Sequence, residues 1–180
     1  MTRLLLFLAY LLLAVATAGL FGALHDQISY TVAPEYFTRF KFIQFDLLDE
    51  RVPERLRVAA VGFLASWWMG VPIGLLAGLA GFVQRDPRDM KRALLWSLPL
   101  IVGFTLAFAL GGLGYGFLQT RDLDLADYAM WFVPENLAQP RNYVCVGYMH
   151  NAAYLGGMLA IPLAWLFHLG FRLRGRRAFC

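Results

Sequence analysis

Two cysteines, three serines and no charge inside any long apolar run set the first limits on this chain of 180 residues. Cys145 and Cys180 form no C-x-x-C pair, so neither a thiol redox motif nor a cysteine zinc site is encoded. The topology derived below puts them on opposite sides of a membrane, so they are not expected to pair. Cys180 has no residues after it to make a prenylation box and is expected to be an exposed tail thiol. Ser29, Ser66 and Ser97 lie in no Gly-x-Ser-x-Gly elbow, and no glycine-rich phosphate loop occurs. Charged residues make up 16% and hydrophobic ones 59%. A soluble domain typically has about 25% charged and roughly 45–50% apolar residues, so this chain is too apolar to be one.

What is present is four apolar stretches, Leu4–Leu24, Val58–Val83, Ala93–Leu118 and Val144–Phe171. A helix needs about 20 such residues to cross a hydrocarbon core. The expectation is therefore an all-α integral membrane protein, a single domain over residues 1–180 built as a four-helix bundle. Pro72, Pro99 and Pro162 lie within the last three spans, where neighbouring groups can satisfy the freed carbonyls. Arg3, the run Leu4–Val15 and Ala16-Thr17-Ala18 resemble a secretory signal. The apolar run continues through Gly19, Leu20 and Phe21 to Leu24, which favours a retained helix.

The net charge of +4 is distributed as a topology signal. Arg3, the turn 84–92 with Arg85, Arg88, Lys91 and Arg92, and the tail 172–180 with Arg172, Arg174, Arg176 and Arg177 hold nine basic residues against Asp86 and Asp89. The loops 25–57 and 119–143 hold seven basic residues against ten acidic ones. By the positive-inside rule both termini are expected in the cytoplasm of a bacterial cell, with the two long loops outside its inner membrane. The lipid bilayer is then the expected partner, and no nucleic acid is.

Gly70, Gly74 and Gly78 make a smooth stripe every four residues, and Gly112 and Gly116 repeat the spacing. Such stripes allow close helix packing, within the chain or against a second copy or another membrane protein. In the first long loop Tyr36, Phe37, Phe40, Ile43, Leu47 and Leu48 follow helical spacing after Pro34, predicting a short interfacial amphipathic helix. Asp124–Phe132 predicts a second, capped by Asp124. Val32-Ala33-Pro34-Glu35 and Val133-Pro134-Glu135 faintly echo one another, as the halves of a parallel repeat would.

The candidate chemistry gathers at one depth. His25 and Asp26 follow the first span, and His150 lies near the outer start of the fourth, with Glu35 able to fold back from the loop. Cys145 with Met149, and His150 with Tyr154, are pairs four residues apart that share helix faces, and Asn151 adjoins them. Two imidazoles with carboxylates suit zinc, copper or iron, and a thiolate or thioether would favour copper or zinc. The competing reading for His25 and His150 is a histidine–carboxylate hydrogen bond pinning a loop to the bundle, and His168 is expected to be hydrogen-bonded to a neighbouring loop. The span interiors offer only Ser66, Trp67, Trp68, Ser97 and Thr105, which argues against ion transport. Three functions remain: an outward-facing site for a metal or polar ligand, an accessory subunit of a larger membrane complex, or an enzyme acting on a lipid-borne substrate.

Overall fold

The computed structural model describes residues 2–177, so the tail thiol of Cys180 lies outside it. All regular structure among the described residues is helical. Helix α1 spans Arg3–Val32, followed by α2 (Pro34–Tyr36), a π-helical turn (Phe37–Lys41) and α3 (Phe42–Gln44). Helices α4 (Glu54–Ser66) and α5 (Gly70–Leu79) are joined by a 3-10 turn at Trp67–Met69. Helix α6 (Pro87–Gln119) and α7 (Pro140–Arg177) complete the bundle. Arg3–Val32, Glu54–Val83, Pro87–Gln119 and Pro140–Arg174 are each long and apolar enough to cross a membrane.

Local chemistry explains the boundaries. Thr2 Oγ1 accepts from Leu5 N–H at the start of α1. Its end is set by Pro34, because a residue before proline is pushed toward extended backbone, and Ala33 adopts φ −142° and ψ 86°. Asp86 caps α6 by accepting from the N–H groups of Arg88 and Asp89, ahead of Pro87 in the first turn. Those hydrogen bonds, Asp89's first, hold the Asp86 carboxyl below its usual range. The break between α4 and α5 falls where Pro72 cannot accommodate the carbonyl of Trp68, one turn earlier. The Gly70 N–H is shared there between the Trp67 and Trp68 carbonyls.

Helix α1 packs along α4 and α5, α6 packs along α7, and the two hairpins meet through α1–α6 and α5–α7. Small residues set these distances. A Cβ on Gly22 would strike the Gly62 carbonyl across the α1–α4 crossing, and one on Gly70 would strike the backbone of Val15. Gly74 and Gly78 sit over Ala14 and Tyr10, so the stripe is occupied by the chain's own α1. Gly112 and Gly116 likewise face α7 at Ala152, Tyr148 and Cys145. Leucines on the outward faces, Leu12 and Leu24 among them, are exposed.

The apolar core is divided between the two ends of the bundle. At the short-turn end Leu6, Phe7, Tyr10, Met90 and Leu94 pack together. At the long-loop end Phe37, Phe42, Val58, Val61, Tyr143 and Val146 do so. Between them the bundle holds a cavity of about 100 Å³.

The loop after α1 departs from the expected helical face. Ile43 and Leu48 are exposed, at 61% and 55%, while Phe42 is buried at 2%. The cause is the π-helical turn, in which Phe42 N–H donates to the Phe37 carbonyl five residues back. Bonding at that interval brings residues five apart toward one line, so Phe37 and Phe42 share the buried side. Asp46, at φ 53°, then ends the helical segment. In the second loop the regular structure is a single 3-10 turn at Leu125–Tyr128, begun by Asp124, shorter than Asp124–Phe132.

Candidate functional site

Helix α1 continues two turns beyond the span expected from hydropathy, and this puts His25 and Asp26 inside the bundle. Gly22, Asp26 and Ser29 continue the inward stripe of α1 at three- and four-residue spacing, with His25 beside them. His25 and Asp26 are buried, at 4% and 3% exposure. His150 approaches from α7, its ring meeting that of His25 edge-on with centroids 4.8 Å apart. Asp26 Oδ1 lies 3.0 Å from His25 Nδ1 and 3.8 Å from His150 Nε2. One ligand atom from each of the three residues falls within 4.8 Å of those from the other two.

The Nε2 atoms of both histidines are buried without a hydrogen-bond partner. Leaving a buried polar nitrogen unpaired costs about 1–3 kcal/mol, so two such atoms beside one carboxylate are an arrangement to explain. The bond between Asp26 and His25 Nδ1 selects the tautomer whose Nε2 carries a free lone pair. A carboxylate behind a histidine in this way fixes the ring and raises its strength as a ligand.

The surroundings hold the imidazoles in place. Tyr36 stacks on His150 with centroids 4.9 Å apart and an interplanar angle of 21°. It also packs against Tyr143. Burial above all, then the nearby Tyr143 and Asp26, pushes the Tyr36 phenol well above its usual range, so it remains a neutral wall. Lys41, from the π-helical turn, stands over the Phe40 ring at 4.4 Å and donates to Gln44 Oε1 at 2.9 Å. Burial lowers its pKa and the charge of Asp26 opposes that shift, so the ammonium lies within electrostatic reach of the site.

The other sequence candidates separate into two groups. Tyr154 lines the cavity together with His25, Asp26 and His150. Glu35 does not join them: its two carboxylate oxygens accept from the backbone N–H groups of Ala138 and Gln139 at 3.0 and 2.9 Å. These groups precede α7, where a helix start presents unsatisfied donors that a carboxylate suits. Cys145 Sγ lies 3.3 Å from Thr120 Oγ1 at the end of α6, and Met149 is fully buried one turn further on. Asn151 is exposed. His168 sits at the opposite end of the bundle, where Gln84 Nε2 donates to its carbonyl at 2.9 Å.

Tyr36 and Lys41 are site neighbours that helical spacing does not single out, Tyr36 being only one of the apolar residues of a loop helix. No spacing rule identifies them, because the π-helical turn realigns that segment. The cavity beneath the histidines was equally illegible, since Thr17 and Phe21 of α1 face Val102 and Thr105 of α6 across it only once the hairpins pack. Comparison with protein-family models, curated proteins and solved structures returned no match.

Proposed function

We propose that this chain is a multi-pass protein of the bacterial inner membrane that binds a divalent transition metal at His25, His150 and Asp26. The observation carrying this reading is the pair of buried, unpartnered imidazole nitrogens sharing one carboxylate. The 3.8 Å between Asp26 Oδ1 and His150 Nε2 exceeds the separation of two ligands on a tetrahedral ion, about 3.3 Å, by about half an ångström. Ligand atoms of a tetrahedral ion stand about 3.3 Å apart, so the 4.8 Å cluster would contract by about 1.5 Å on binding. Two nitrogens and a carboxylate oxygen with an open position suit zinc or iron(II). Cys145, whose Sγ lies against Thr120 Oγ1, is not among the three clustered ligands, so no thiolate there favours copper. Bound there, the ion would supply a Lewis acid at the top of the cavity.

The site would face outward, with both termini cytoplasmic. Arg3 donates to the Arg85 carbonyl, and Arg172 Nη1 to the Val83 carbonyl at 2.5 Å, so the basic groups gather at the short-turn end. That gathering supports the positive-inside orientation.

Elemental analysis of protein purified without chelator tests the metal reading. The expected result is one zinc or iron per chain in the wild type, lost in both His25→Ala and His150→Ala. Metal-free wild type overturns it, as does full occupancy in either variant.

A further inference from the structure

The cavity below the histidines is too large and too apolar to be an incidental void. A single water needs about 10–15 Å³, and the cavity offers about 100 Å³. Apolar side chains such as Ile73, Leu98, Ile101 and Ala153 line most of it, and its polar groups include Thr17, Ser66 and Thr105 besides the histidine cluster. An empty cavity would forfeit dispersion contacts along its whole lining. It extends along α1 from His25 to Tyr10, about 22 Å at the helical rise of 1.5 Å per residue. Aromatic residues pack at both ends: Tyr36 and Tyr143 beside the histidines, Phe7 and Tyr10 at the far end.

The side of the bundle is different. A groove runs on the outer surface between α1 and α6, bordered by Leu20, Leu24, Ile28 and Leu106. It shares Thr17, Phe21, His25 and Val102 with the cavity, so these four residues stand between the cavity and the lipid-facing surface. Leu20 and Leu24 on its rim are 60% and 70% exposed.

We propose that the cavity binds a single-chain membrane amphiphile with a compact oxygen-bearing head, admitted from the bilayer between α1 and α6. The head would sit at His25 and His150, whose free nitrogens, or the ion they hold, call for an oxygen ligand. The chain would run down toward Tyr10. Tyr36 stacks on His150 and packs against Tyr143, so a compact head suits that end better than a glycerophosphate. The head position rests on the metal reading; the chain position rests on the cavity alone.

The test uses the full-length protein in detergent with palmitic acid carrying a diazirine at its chain end. After photolysis, mass spectrometry is expected to find the label on cavity residues near Tyr10, Gly74 and Leu98. Val102→Trp, which narrows the portal, is expected to abolish that labelling. Ala153→Phe, filling the opposite wall, should do the same where the first variant proves unstable in thermal unfolding. Label confined to outward residues such as Leu12 and Leu20, equal in wild type and variants, overturns the proposal. So does equal cavity labelling by a phosphatidylglycerol bearing the same diazirine chain. Metal-free protein that still labels in the cavity would defeat the metal reading and leave the chain site standing.

Discussion

At the scale of single residues, the site depends on Asp26 performing two tasks. It accepts from His25 Nδ1 at 3.0 Å and faces His150 Nε2 at 3.8 Å. A buried carboxylate is tolerated only when paired, and here the imidazoles are its near partners. Asp26→Asn keeps the side-chain volume and removes the charge. It is expected to weaken metal binding about 10–100-fold, the usual effect of losing a supporting carboxylate. Competition against a calibrated chelator measures this, and unchanged affinity would mean that Asp26 neither ligates nor supports. Tyr36 contributes differently, as a neutral stacked surface that keeps the His150 ring from turning.

At the scale of elements, the two long loops lock each other over the bundle. Glu35 binds the residues preceding α7, and Asn142 Nδ2 donates to the Val32 carbonyl at the end of α1. Arg57 reaches from α4 to the Leu47 carbonyl while lying 4.4 Å from the Phe42 ring. Glu35→Ala removes the acceptor of two backbone donors. It is expected to destabilise the fold by about 1.5–3 kcal/mol, the worth of a hydrogen bond to a charged group. Chemical denaturation in detergent would read the loss, while metal content at low denaturant should be retained. Loss of metal with unchanged stability would instead make Glu35 a ligand. The π-helical turn belongs to this scale too, since it turns Phe42 inward and sets Lys41 near Asp26.

For the whole molecule, two apolar clusters close the ends of the bundle and leave the middle open. The four helices are long enough for a bilayer, and their outward leucines have no protein to cover them. In the proposed orientation a phosphatase reporter fused after Cys180 is expected to be inactive. One fused within the exposed stretch at Asp49–Glu50 is expected to be active. The reverse pattern would invert the topology and place the histidine site toward the cytoplasm.

The spans, the helix start at Pro34, the cap at Asp124 and the close-packing glycines were legible in the sequence. Each depends on local chemistry: hydrocarbon length, a missing N–H, a capping oxygen, an absent Cβ. His25 and His150 could be named as candidates from their residue type and depth alone. Their convergence, by contrast, was decided only when α1 packed inside the bundle and ran on past the hydrophobic stretch. Glu35 looked like a ligand because a carboxylate near histidines resembles one, and only the approach of the second loop gave it backbone donors instead. The cavity had no sequence signature at all, because a volume between helices is a property of four surfaces together and not of any one of them.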